Sequence, residues 1–283
     1  MNRMRRPLSS TIVRGAAITG LLMIGSVTAG CEDKPAANIA PTSSALTATK
    51  PPAMGAIKFA VDKESSKVEF LMDAPKEKIR GKVYKSTEGE LQIDMDDITK
   101  STGLITIDIS GIELFQAMPD ETGKFGGESK SEGQNKHART WLEISDDTPE
   151  ETRKQNAKVQ FSIKSIVTKG DKSVLAMPGT DRTLDITATG DFLLHGHKAP
   201  KTADLLVTFH FEGTRPVSAV IKTSKPISVD LAEFDVKPRD AFGKLATKTL
   251  DVLSPKVNKE APVTFELTAK VIGSGAAAPA KSP

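Results

Sequence analysis

Between Ile57 and Val271 segment after segment carries apolar residues at every second position, and this alternation restricts the fold more than any motif does. Ile57, Phe59 and Val61 alternate with Lys58, Ala60 and Asp62; Val159, Phe161 and Ile163 alternate with Lys158, Gln160, Ser162 and Lys164. The same rule runs through Val68 to Met72, Leu91 to Met95, Ile105 to Ile109, Leu205 to Phe211, Val217 to Ile221 and Val263 to Val271. Successive side chains of a strand point to opposite faces, so each segment has one apolar and one wetted side. Eight or more such strands predict an all-β domain, closed as an antiparallel barrel or stacked as a sandwich. Glu88-Gly89, Gly170-Asp171 and Pro178-Gly179 supply turns between them.

Helix is expected in only two places. Asn135 to Ile144 gathers helix formers around Trp141, and Pro238 to Leu253 opens on proline and then carries Phe242, Leu245, Leu250 and Leu253 at loosely helical spacing. The polar, glycine-rich stretch Leu114 to Gly133 reads as a long loop, either a lid over a barrel end or a plain insertion.

The N-terminus is not part of the fold. Arg3, Arg5, Arg6 and Arg14 precede or border an apolar run of 13 residues, Gly15 to Val27, and Ala29-Gly30-Cys31 follows it. That run suits a secretory signal and is too short for the ~30 Å hydrocarbon core of a bilayer. Cys31 is the only cysteine of the 283 residues, and behind two small residues it is the expected site of lipidation, although Thr28 stands where such signals usually carry leucine. An ordinary signal peptide that leaves a free thiol is the alternative. With two or more acyl chains the anchor would be lasting, since each buried CH₂ contributes ~0.8 kcal/mol. The expected location is therefore the cell envelope, on the inner or outer membrane, with the domain outside the cytoplasm.

Composition marks two tails. Residues 31–54 are expected to form a disordered tether after the lipidated cysteine, and residues 273–283 a disordered tail, because both are built from Pro, Ala, Ser, Thr and Lys. Residues 55–272 contain no second linker and read as one domain. Removing residues 1–30, with four arginines and no acid, changes the formal charge from +3 to −1. A near-neutral chain without a basic stripe gives no reason to expect nucleic acid as a partner. Whether a protein partner exists is not legible.

Motifs of enzyme chemistry are absent from the sequence: there is no Gly-x-Ser-x-Gly, His-Glu-x-x-His, Walker loop or dinucleotide fingerprint. Asp94-x-Asp96-Asp97 lacks the glycine and distal glutamate of a calcium loop. His195-x-His197, with His210 as a third donor, is the strongest metal candidate, but His195-Gly196 reads as a turn, and neither a metal nor a cofactor is expected. His137 and Arg139 form a cationic pair fit to hold a phosphate or quinone headgroup, or else serve as a helix cap and a surface ion pair.

The order of segments resembles a known family. FAVDKESSKVEFLM (Phe59–Met72), GELQIDMDDITKSTGLITIDISGI (Gly89–Ile112), NKHARTWLEI (Asn135–Ile144), NAKVQFSIKSI (Asn156–Ile166), TATGDFLLHGHKAP (Thr187–Pro200), SVDLAEFDV (Ser228–Val236) and APVTFELTAKV (Ala261–Val271) occur in sequence. Together they are similar to the YceI-like family of lipocalin-like, polyisoprenoid-binding proteins. Residues around 113–133, 169–183 and 237–259 are extra to that pattern. The resemblance implies an eight-stranded antiparallel lipocalin-like barrel with one or two short helices and long loops, binding a polyisoprenoid, quinone or similar long apolar lipid as a non-enzymatic carrier or sensor. On residue type alone Phe59, Phe70, Phe161, Phe192, Phe209 and Phe211 suit an ordinary core better than a tunnel wall. The resemblance reverses that order, and adds Met72, Ile107, Ile163 and Leu194 to the expected cavity wall, with His137 and Arg139 at its mouth. The other reading is a structural envelope lipoprotein whose barrel is filled and whose loops bind another protein.

Overall fold

The alternating segments become strands, and pairing closes the long ones into a ring. The computed structural model describes residues 44–74, 76–249 and 258–273; Cys31, the segment 1–30 and the tail from 274 onward lie outside them. The chain begins with β1 (Ile57–Val61), β2 (Lys67–Ala74), β3 (Glu77–Tyr84), β4 (Thr87–Ile93), β5 (Thr102–Asp108), β6 (Glu113–Ala117) and β7 (Ser129–Lys130). Two helices follow, α1 (Glu132–Trp141) and α2 (Glu150–Asn156). Then come β8 (Lys158–Thr168), β9 (Asp181–Leu194), β10 (His197–Glu212), β11 (Arg215–Thr223), β12 (Ile227–Asp230), β13 (Arg239–Ala241), β14 (Lys244–Leu245) and β15 (Glu260–Val271).

Three of the barrel's walls are bent double strands. β1 runs on into β2 and β3 into β4, with Ala60 opposite Glu90 and then Lys67 opposite Tyr84. β5 runs on into β6 in the same way, opposite β4 and β3. From there β8, β9, β10, β11 and β15 follow in order, all antiparallel, and β15 returns to β1 and β2. Counting each bent pair as one wall, the barrel is closed and eight-stranded. The side chains that alternate inward form a single core, in which Phe59 and Phe209 are fully buried and meet edge to face at 6.0 Å.

The ends of the barrel are built differently. At one end lie the β2–β3 turn, α1, α2 and the β9–β10 turn. At the other, residues 172–177 fold under the barrel: Val174 is fully buried and donates to Met95 O, and Ile98 N donates to Lys172 O. The extra residues 169–183 therefore close that end.

α1 starts three residues earlier than the sequence predicts, because the Ser131 hydroxyl caps Gln134 N at 3.4 Å. Its Asn135 amide is buried and both accepts from Leu114 N (3.0 Å) and donates to Leu114 O (3.3 Å), which fixes α1 to β6. Three expectations are corrected. Leu114 to Gly133 is an ordered extension, with β6 paired to β3, β7 paired to β6, and a turn held by Asp120. Pro238 to Leu253 is not a helix: β13 and β14 form a small hairpin around Gly243 (φ 69°), and Arg239 is held there by buried carboxylates. Residues 250–253 of that prediction lie outside the described residues. The tether is in part bound: Leu46 N donates to Gln160 Oε1, Ser162 Oγ to Thr47 O, and Thr49 Oγ1 to Ile163 O, each at 2.7 Å.

Gly190 lies where β9 crosses a register slip in β8, and a Cβ there would stand 2.3 Å from Ser162 O and 2.8 Å from the Phe161 ring. Gly190→Ala should cost ~1–3 kcal/mol by overpacking, read from denaturant unfolding, whereas Gly127→Ala, with nothing within 4 Å, should change little.

Candidate functional site

Two cavities lie end to end inside the barrel. The waist cavity, about 110 Å³, is walled by Phe59, Phe161, Ile163 and Phe209 among other apolar side chains. The second, about 190 Å³, lies at the α1 end against Phe70, Met72, Ile79, Leu114, Val159 and Leu194. Either volume far exceeds the ~10–15 Å³ that one water needs, and walls of this kind offer water few partners. Val68, Ile107, Phe192, Val229 and Val263 line both, so the cavities abut. Phe192 stands in the partition and rests edge-on against Phe234, ring centroids 5.3 Å apart.

Helix α1 roofs the second cavity. Gln134, His137, Ala138 and Trp141 line it, a spacing of three, four and seven that puts all four on one helical stripe. His137 is exposed and stacks on Trp141, with centroids 6.2 Å apart and planes at 14°. Arg139, two positions on and therefore near the opposite side of the helix, donates to Ser110 O at 2.9 Å and reaches Ile112 O at 3.5 Å. The structure thus separates the expected pair: His137 faces the cavity, and Arg139 ties down the β5–β6 connection.

Nine of the ten side chains expected to line a cavity do so, namely Phe59, Phe70, Met72, Ile107, Phe161, Ile163, Phe192, Leu194 and Phe209. Phe211 lies outside both. It is buried beneath the Arg182 guanidinium, 3.8 Å from its ring centroid, near the closed end, beyond a register slip in β10. Lys201 was not anticipated: it falls in the inward phase of β10 with Ala199, Ala203 and Leu205, but its charge argued against a cavity wall. It lines the waist cavity, the only lysine or arginine among the described lining residues of either, and its charge is met by Glu233 at 2.5 Å.

Behind Phe234 lies a buried ionic cluster. His195-Gly196 is the two-residue turn between β9 and β10, with φ of 51° and 72°, as a type I′ hairpin requires. His195 Nδ1 is 3.1 Å from Phe234 O and Nε2 is 3.2 Å from Glu143 Oε2. Both ring nitrogens face acceptors. Glu143 also accepts from Gly243 N (3.2 Å) and lies 3.3 Å from Arg239 Nε, while Arg239 donates to Asp235 Oδ2 at 2.8 Å. Glu143, His195 and Asp235 all have positive φ, 50°, 51° and 55°, each costing ~1–3 kcal/mol that the surrounding contacts must offset.

His195, His197 and Asp235 bring possible metal-ligating atoms within 4.8 Å of one another. The surroundings do not suit a cation. Both nitrogens of His195 are engaged, and the two carboxylate oxygens of Asp235 are ion-paired to Lys237 and Arg239. His210 lies apart, bonded to Asp181 at 2.6 Å.

Sequence comparison agrees with this architecture. A family model described as a YceI-like domain matches residues 59–269. The chain belongs to the YceI-like family. No curated protein matches it. Among solved structures, Burkholderia cenocepacia BcnA is 15% identical with a TM-score of 0.45, covering 74% of this chain and 99% of its own. A polyisoprenoid binding domain from Saccharophagus degradans, implicated in plant cell wall breakdown, is 13% identical with a TM-score of 0.43, covering 76% and 99%.

The ionic cluster makes stability depend on pH. Burial alone would raise the Glu143 carboxyl, but the His195 hydrogen bond, the Arg239 charge and the Gly243 amide bring it below its ordinary 4.5. Burial, followed by the charge of His195, pushes His197 below its ordinary 6.5. Both groups bind protons more readily when unfolded, so stability should rise with pH: it is lost first as pH falls below 6.5 and again below 4.5. Glu143→Gln should cost ~3 kcal/mol at neutral pH by leaving buried cations short of a carboxylate, and should flatten the lower step in thermal melts taken across pH.

Proposed function

We propose that this protein is a lipid-anchored, non-enzymatic binding protein of the bacterial cell envelope, holding a polyisoprenoid, quinone or similar long apolar lipid in its barrel as carrier or sensor. The observation that carries the reading is the pair of abutting apolar cavities. At ~24 cal/mol per Å³, leaving them empty would cost ~3 and ~5 kcal/mol, a large share of the ~5–15 kcal/mol net stability of a domain. An occupant removes that cost. Two chambers in line, joined around Phe192, suit a long flexible chain better than a compact ligand, and the same ligand class is named for the Saccharophagus degradans domain.

The headgroup end is the α1 end. His137 is exposed there, and neither its ring nitrogens nor the Trp141 N–H makes a hydrogen bond among the described residues. Arg139 is committed to backbone carbonyls and takes no part. Among the described residues that line the two cavities, none forms the nucleophile–base pair that catalysis would need. Cys31, outside the described residues, is the proposed attachment point, and its signal supports a domain outside the cytoplasm.

Phe192→Trp should narrow the passage between the cavities. Isothermal titration of the full chain is expected to show long prenyl lipids losing affinity while short ones keep it; equal loss for both would contradict a single continuous tunnel. Cys31→Ser should leave an uncleaved precursor or release the protein from membranes, and unchanged fractionation and unchanged mass would refute the anchor.

A further inference from the structure

We propose that residues 46–49 are an orienting strap, which directs the membrane tether to the α1 end of the barrel so that the cavity mouth faces the lipid surface. The inference rests on the lipid-anchored reading above and adds the face that meets the bilayer.

β8 supplies a prepared seat for the strap. Gln160 and Ser162 lie on the outer phase of the strand, alternating with Phe161 and Ile163, yet they are only 6% and 0% exposed. Buried polar groups need partners, and the strap provides them: Gln160 Oε1 accepts from Leu46 N, and Ser162 Oγ donates to Thr47 O. The third contact uses the register slip between Ile163 and Ser165, beside which Ile163 O accepts from Thr49 Oγ1.

The contacts also give the strap a direction. Leu46, Thr47 and Thr49 meet Gln160, Ser162 and Ile163 in that order, so the strap runs parallel to β8. Along β8, Val159 lines the cavity at the α1 end, whereas Ile163 and Ile166 line the waist cavity. Followed back from Thr49 to Leu46, the chain moves towards α1 and leaves the barrel at the end where His137 and Trp141 border the mouth. Cys31 is fifteen residues before Leu46, at most ~50 Å of extended chain and ~20 Å as a flexible coil. A tether that is short and leaves from that end favours presenting it to the membrane.

Three of the nine large apolar side chains exposed among the described residues lie at the same end, while Leu175 lies at the other. Met118, 55% exposed, follows the β6 residue paired with Lys78, next to the cavity-lining Ile79. Phe242 and Leu245, 36% and 40% exposed, sit on the β13–β14 hairpin, which is tied to Asp147 and Glu143 just past α1. A bilayer surface is a partner on which such residues gain, and a lipid tail passing between it and the cavity behind α1 would be less exposed to water.

Trp141 is the only tryptophan of the chain and reports on the mouth directly. The full lipidated protein would be reconstituted into vesicles containing a phospholipid spin-labelled on its headgroup, with Cys31→Ser protein added from outside as the unanchored control. The expected result is that Trp141 emission is quenched in the anchored protein, remains near the control level in Cys31→Ser, and recovers towards that level in the anchored Thr49→Val, Ser162→Ala double variant. Leu46→Pro, which removes the strap's backbone donor without touching a barrel strand, should recover in the same way. Anchored protein that floats with the vesicles but is not quenched, or strap variants quenched as fully as wild type, would overturn the orientation and leave the lipid-binding reading standing. Protein that does not float with the vesicles would remove the anchor and the orientation together.

Discussion

The structure depends on the closure of the sheet at β15. That strand pairs with β11 and β12 along one edge and with β1 and β2 along the other, so no long row of backbone donors and acceptors is left for another chain. Closure also fixes the inside. Every strand must send one phase of its side chains inward, and an eight-stranded ring encloses a space that side chains can fill or that one ligand can share. Here the inward side chains do not fill it. Large rings such as Phe59, Phe161 and Phe209 stand around the space rather than across it.

The ends of the barrel then decide what the space is for. Residues 172–177 close one end with Val174 and the carbonyl of Lys172. The other end is roofed by α1 and keeps an exposed histidine over the cavity. Phe192 in the partition leans on Phe234, and Phe234 O accepts from the His195 ring. The ionic cluster around Glu143, Arg239 and Asp235 therefore sets the position of the residue that divides the tunnel. Three residues with strained backbone in that cluster suit a fixed frame around an adaptable channel.

Much of this was legible in the sequence because period two is a direct imprint of a half-buried strand. The alternation identified the all-β class and the inward phase; that the inward side chains wall a cavity was an expectation drawn from the family resemblance. Phe211 defeated it, since beyond a register slip the alternation no longer predicts what an inward side chain will meet. α2 was overlooked although its signal is present: Pro149 precedes it, Glu150 and Glu151 occupy the first turn, and Arg153 and Lys154 the last. Pro238 to Leu253 misled in the other direction, because its apolar spacing was helical only in part and Gly243 with buried Arg239 favoured a hairpin. The strap could not be read at all. Its composition is that of a linker, and what holds it is a set of hydrogen bonds to two side chains and one backbone carbonyl more than a hundred residues away.

The central claim is that the two cavities exist to hold one long apolar lipid. Native mass spectrometry of the protein isolated from its own cells tests it most directly, with the Cys31→Ser form allowing work without detergent. The account predicts a stoichiometric adduct, one lipid per chain, that organic extraction removes and that a prenyl lipid restores together with raised resistance to unfolding in proportion to its concentration. A bare chain of full stability, unaffected by any added prenyl lipid, would contradict it.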